Sequence, residues 1–319
     1  MDIYFDDNFG KLYECIEHGK AVVYNFSCEY GKIKHQFIRR SIDDVYSDLV
    51  TPYGYGGPLI LEASDREKLL TAFAENFKQY CLENNIVSEF VRFHPLINNA
   101  LDFTQIYNCE LIRHTLGTDL TAHDDPTQGA FSKSCRKNIK KALKNGVSFV
   151  VTPQPQNLDR FIDIYYATMD RNTASDYYYF PKTYFEDCLK WFQKDLLLIE
   201  AVYEEQTIAA GMYFARDGVV HIHLSGTLSE FLYLSPAYIL RYAAVLWAKE
   251  HHFRIVYHGG GKSNSPEDSL YLFKRQFSDK EYDFYVGKKI WNQSVYDQLC
   301  AEKNIDSNSD FFPAYRKLL

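Results

Sequence analysis

Apolar side chains return at helical spacing between residues 64 and 84, where Leu69, Leu70, Phe73, Phe77, Tyr80 and Cys81 share one side of an amphipathic stretch. Ser64 and Glu67 have the spacing of a capping box, so a helix is predicted to open there and run to about Asn84. Before it, AVVYNFSC, a Glu29-Tyr30-Gly31 turn and KIKHQFIR form a predicted hairpin over 20–40. TPYGYGGPL (51–59) separates hairpin from helix, with three glycines and a proline on each side. A strand over 87–93, a short helical stretch and a strand pair over 109–121 complete the first half.

The second half repeats this grammar more legibly. Ser132 caps a helix that Gly146 terminates, and Cys135, Ile139, Ala142 and Leu143 share its apolar face. A strand (147–152) and helices over 157–170 and 181–194 come after it. Three strands come next, over 196–204, 207–216 and 219–227, the last two joined by an Asp217-Gly218 hairpin signal. Ser235-Pro236 opens a helix to about His251. A strand over 254–258, a glycine loop, a helix to Phe277 and a strand pair around 281–291 close the chain. The order of the first half, with hairpin, glycine-rich loop, long helix and strand, echoes the latter part of the second. Two tandem mixed α/β units are therefore predicted, one over 1–130 and one over 131–319, with a C-terminal helix packing back on the first.

Composition narrows the class. The 319 residues are 46% hydrophobic and 24% charged, which describes a globular protein long enough for two cores. Seven scattered cysteines without a CxxC spacing point away from disulfide frameworks and zinc ribbons, and towards a reducing cytoplasm. The N-terminus MDIYFDDNFGKLYE has neither the basic nor the apolar region of a signal peptide, and no stretch has the length of a membrane span. A cytoplasmic protein is expected, with a peripheral membrane contact left open.

The net charge of −7 hides one local exception. No acidic residue occurs between Pro126 and Leu158, while Lys133, Arg136, Lys137, Lys140, Lys141 and Lys144 line the polar side of the predicted helix. An all-positive face in an acidic chain suits a phosphate-rich partner, and the alternative is a solvated linker helix. A second exception is RIVYHGGGKSNSPEDSLYLFKRQF (254–277), where a β-type run ends in His258 and three glycines. Consecutive glycines add nothing to a core, but they let backbone or ligand approach closely. GGGKS is not a Walker A loop, because Val256 stands where the first glycine belongs.

These segments carry a family resemblance. The element order is that of the GNAT acyltransferase fold in tandem, as in FemA/FemB/FemX-like peptidoglycan aminoacyltransferases. SKSCRKNIKKALKNGV resembles the basic segment that opens the second unit in that family, and HGGG with DSLYLFKRQF is similar to its glycine turn and Phe-Lys signature. TPYGYGGPL resembles the glycine-proline loop of its first, acceptor-side unit. The resemblance implies an enzyme without a tightly bound cofactor. It would move an acyl or aminoacyl group from aminoacyl-tRNA or acyl-CoA to an amine of a nucleotide- or lipid-linked cell-wall precursor, by direct attack. Oxyanion contacts would fall between the strands 219–227 and 254–258. One departure stands out: Leu228 to Phe253 lacks the glycine-rich pyrophosphate loop of CoA-using relatives. Two alternatives are an acyl-CoA-dependent N-acetyltransferase acting on an amino sugar or polysaccharide precursor, and a non-catalytic GNAT-fold binding protein.

Lys274, in the Phe-Lys position, is the expected catalytic cation, with a helix-surface lysine as the bland alternative. His258 is expected as a base or hydrogen-bond partner, or as a structural cap. Substrate contacts are expected from Tyr55, Gly56 and Gly57, from Gly259, Gly260 and Gly261, and from Arg171, Tyr178 and His223. His221 and His223 lie two apart on a strand, but no third ligand has useful spacing, so no metal is expected.

Overall fold

The computed structural model describes residues 1–307 and 309–317. The chain forms two compact units. One, central in the sequence, comprises Met1–Ile3 and Arg113–Tyr282, and the other, drawn from the outer parts of the sequence, comprises Tyr4–Ile112 and Asp283–Leu319. Each unit thus draws on chain from both sides of the other, where the sequence pattern suggested one break after residue 130. In mixed α/β character the fold agrees with expectation.

In the outer unit, Gly19–Cys28 and Gly31–Ser41 form the hairpin, antiparallel and in unbroken register. Gly31–Ser41 also pairs with two short strands, Ser47–Val50 and Leu59–Ala63, that flank the glycine-proline loop. Ser47–Val50 runs parallel to Ile86–Arg92, and the helix Arg66–Glu83 makes the crossover between them. Its apolar stripe (Leu69, Phe73, Phe77, Cys81) is fully buried against Ile33, Phe37, Leu49 and Val91. The cap differs from expectation: Asp65 accepts from Lys68 N at 3.2 Å, while Ser64 Oγ bonds back to Tyr30 O. Asp at the N-cap also places its charge at the positive end of the helix. Gln293–Glu302 packs through Val295, Tyr296, Leu299 and Cys300 onto Val87 of the same unit.

In the central unit, Ser148–Pro153, Leu196–Tyr203, Gln206–Arg216 and Val219–Thr227 form an antiparallel meander. Asp217 and Gly218 both take positive φ (49° and 81°), the geometry that a two-residue hairpin turn needs. The helix Pro236–Glu250 then crosses over to Ile255–Gly260, which pairs in parallel with Val219–Thr227 only through Val219–His221 and Ile255–Tyr257. Beyond those three rungs the two strands part. Each strand also carries a bulge just past the split. The register with Gln206–Arg216 shifts across His223, and the register with Asn108–Asp119 shifts across His258. Bulges bend a strand and re-aim a side chain, so the opening is built into both strands. The core beneath unites Ile239, Leu240, Ala243, Ala244 and Val245 of the crossover helix with Cys135, Ile139 and Ala142 of the basic helix.

Candidate active site

Past the split, Ile255–Gly260 runs directly into the glycine turn. Gly259 has φ 71°, a left-handed conformation that glycine takes without a Cβ clash. A Cβ on Gly261 would come within 2.5 Å of the Asp268 carboxylate and would push that side chain aside. Asp268 ties the turn to the next helix. It caps Ser269–Arg275 by accepting from Tyr271 N at 2.8 Å, and it gathers Lys262 N (2.9 Å) and Ser263 N (2.8 Å). The Tyr271 amide and these other donors hold its carboxyl down to about 2.

Lys274 projects from that short helix back to the turn. Its Nζ donates to Gly260 O at 2.6 Å, and Arg113 Nη1 donates to Gly261 O at 2.7 Å. The side chain is only partly exposed. Burial first, then the nearby charge of Arg241, lowers the Lys274 ammonium to about 7.

His258 sits one step before the glycines and is buried. Thr118 Oγ1 donates its one proton to Phe277 O, so the 2.8 Å contact with His258 Nε2 places the imidazole proton on Nε2. Nδ1 is left a bare acceptor without a partner. Burial, Arg241 and Lys274 together hold this imidazole well below its ordinary range, so it stays neutral.

A second group lines the other strand. His223, in the bulge, is 2.6 Å from Tyr184 Oη and packs on Phe214. Burial, with His221 nearby, lowers it to about 3. His221 does not join it: that side chain turns inward to Asp2, at 2.8 Å. Arg171 reaches the strand's end, where Nη1 donates to Thr227 O. The ring of Tyr178 is exposed while its carbonyl accepts from Tyr165 Oη at 2.7 Å.

Tyr55, Gly56 and Gly57 belong to the outer unit. Asn99, buried, donates to both Gly56 O and Pro58 O at 2.9 Å and fixes that loop. Tyr55 packs edge-on against Tyr4, His94 and Phe284. Gly57 has φ 85° and lies against Val91 and Phe93.

The basic helix, Lys133–Lys144, opens at Ser132, whose Oγ accepts from Cys135 N at 3.1 Å. Lys133, Lys137, Lys140, Lys141 and Lys144 are exposed, and none forms an ion pair among the described residues. Arg136 is different, because its guanidinium donates to Gln128 O and Phe131 O and closes the loop before the helix.

Comparison with known proteins bears on this geometry. Residues 129–271 match the acetyltransferase (GNAT) domain family, and this stretch contains the meander, both splayed strands and the glycine turn. That part of the chain is thus similar to GNAT acetyltransferase domains. It is 25% identical over 189 residues to a UDP-N-acetylmuramoylpentapeptide-lysine N(6)-alanyltransferase of Weissella viridescens, a match spanning 58% of this chain and 55% of that protein. The chain thus matches about half the length of that relative. The crystal structure of FemX superposes with a TM-score of 0.70 at 13% identity, covering 93% of this chain and 94% of that one. A tandem GNAT protein from the clavulanic acid biosynthesis pathway gives a TM-score of 0.51 at 10% identity, over 84% of this chain and 83% of its own. The fold is that of FemX and tandem GNAT proteins.

Three residues of the central site had no place in the sequence-based expectation: Arg113, Thr118 and Arg241. Arg241 left a signal, being the one charged residue inside the apolar run PAYILRYAAVLWA. Arg113 and Thr118 left none, since a strand residue's partner across the sheet is not written locally.

Proposed function

We propose that this chain transfers an aminoacyl group from aminoacyl-tRNA to a side-chain amine of a nucleotide-linked cell-wall precursor. The observation that carries this is the half-buried Lys274, fixed on the glycine turn of a chain whose sequence is similar to a muramoylpentapeptide alanyltransferase. The neutral amine attacks the ester carbonyl, a C–N bond forms, the C–O bond to the ribose breaks, and the amine proton passes to the ribose oxygen. The Lys274 ammonium meets the charge that gathers on the carbonyl oxygen, which is stabilisation realised mainly in the transition state.

No protein nucleophile is required. Burial raises the thiols of Cys109 to about 11 and Cys135 to about 12, so neither is a thiolate near neutrality. The exposed lysines of Lys133–Lys144 supply a docking face for the RNA phosphates. In the central unit, Arg171, Tyr178 and His223 are assigned to the acceptor; Tyr55, Gly56 and Gly57 of the outer unit are assigned separately to substrate binding.

The acetyltransferase description of the matched family favours a second reading, acetyl transfer from acetyl-CoA. Against it, the crossover helix begins at Ser235 with no side-chain cap and no glycine near its N-terminus. Transfer assays with each donor separate the two. Product from alanyl-tRNA with UDP-N-acetylmuramoylpentapeptide supports the proposal, and product from acetyl-CoA alone overturns it.

A further inference from the structure

Arg241 is a buried cation with no counter-ion. Its residue is 5% exposed, its Nε has no partner, and no ion pair involves it among the described residues. What it touches is aromatic: the guanidinium lies 4.8 Å from the Phe273 ring centroid and 5.7 Å from that of Phe277. Those rings flank Lys274 in sequence, and Tyr238 packs edge-on against Phe273 from the crossover helix. The titratable groups that bear on Arg241 are Tyr213 and Cys135, both kept uncharged by burial, the neutral His258, and Lys274. Around Lys274 stand Arg241 and Arg113, and one acid, Asp268, whose oxygens are taken by backbone amides and Ser263.

A buried guanidinium is ordinarily paired, because leaving one without an anion is costly. Cation–π contact with two rings offsets only part of that cost. Lys274 with Arg241 and Arg113 near it gathers three cations at the glycine turn, and with Asp268 already engaged a negative charge is left to be supplied from outside. We propose that Arg241 and Lys274 are the buried and exposed halves of a two-cation subsite for one phosphate group of the acyl donor. Of the three Lys274 N–H groups, one is on Gly260 O and one serves the acyl carbonyl, so the third makes the phosphate contact, and Arg241 adds a second charge from behind the Phe273 and Phe277 rings. This rests on the donor assignment above, but it concerns the phosphate and not the acyl group. A phosphodiester at an RNA 3′ end and the pyrophosphate of CoA present the same chemistry.

The test is calorimetric titration of the full chain and of Arg241→Gln and Arg241→Lys at matched ionic strength. The probes are cytidylyl-adenosine, CoA and inorganic phosphate, each run at pH 7.5 in two buffers of different ionisation enthalpy. Cytidylyl-adenosine should bind the wild type with net proton uptake, as the arriving anion recharges Lys274. Arg241→Gln should bind about 10-fold more weakly or worse and lose that uptake. Arg241→Lys should retain most of both. The free Arg241→Gln protein should melt no lower than wild type, because an uncompensated buried charge has been removed.

The inference falls if Arg241→Gln binds like wild type. It also falls if Arg241→Lys fails as badly with a lowered melting temperature, or if no probe binds the wild type. CoA binding in place of cytidylyl-adenosine, with the same Arg241 dependence, keeps the subsite and overturns the tRNA donor. Cytidylyl-adenosine binding without that dependence does the reverse.

Discussion

Lys274→Met tests the electrostatics of the glycine turn, because it deletes the ammonium and keeps the apolar stem. Lysine ordinarily stays charged to 10.5, whereas burial and Arg241 bring Lys274 to about 7. At ~1.4 kcal/mol per pH unit this caps the cost of the charge at ~5 kcal/mol, and partial exposure of the side chain reduces the working figure to ~2–4 kcal/mol. The sign depends on which state binds the proton. Between about 7 and 10.5 the unfolded chain holds a proton that the folded one has lost, so stability rises with pH across that window. Below about 7 the destabilisation is fully present; above about 10.5 it is gone. Urea unfolding should therefore find Lys274→Met more stable than wild type by ~2–4 kcal/mol at pH 6, with the gap closing towards pH 10. Transfer activity should fall by ~100-fold or more, the scale of losing one oxyanion contact. A variant less stable than wild type at pH 6, or a gap that does not change with pH, refutes this reasoning.

Replacing Lys137, Lys140 and Lys144 by Gln should leave the melting temperature within about 2 °C. It should weaken tRNA binding and flatten the salt dependence by roughly 2–3 in slope, as measured by binding across a salt series; an unchanged slope removes the helix from the RNA interface. Asp48, fully buried, accepts from Arg40 Nε (2.8 Å), Tyr315 Oη (3.1 Å) and Arg316 Nε (2.5 Å). Asp48→Asn leaves those guanidinium groups short of their anion and should cost ~3 kcal/mol. Calorimetry should then show a lower melting temperature, and hydrogen exchange should rise at Ala314–Arg316. Protection at those amides equal to wild type contradicts this.

Much of the fold was legible where one local signal dominated. The Leu69–Phe73–Phe77 stripe, the Ser132 cap and the Asp217-Gly218 turn are each decided by neighbours in sequence, and the structure has all three. The cap of Arg66–Glu83 falls on Asp65, one residue past the expected Ser64, because both are good caps and Tyr30 O across the turn captures the serine. Ser47–Val50 and Leu59–Ala63 are not foretold by the sequence, because strands of four and five residues beside glycine and proline leave almost no periodicity. The expected strand pair over 109–121 is one strand, Asn108–Asp119. The site shows the same division. Glycines at a turn announce close approach, but the bulges at His223 and His258 depend on register with distant strands. The bond of Tyr184 to His223 joins residues 39 apart in sequence.

The most direct measurement is a single-turnover transfer assay with alanyl-tRNA and UDP-N-acetylmuramoylpentapeptide, run beside acetyl-CoA with the same acceptor. The account predicts alanylated precursor with wild type, at least ~100-fold less with Lys274→Met, and no acetylated product. Acetylated precursor without alanyl transfer, or equal alanyl transfer by Lys274→Met, contradicts it.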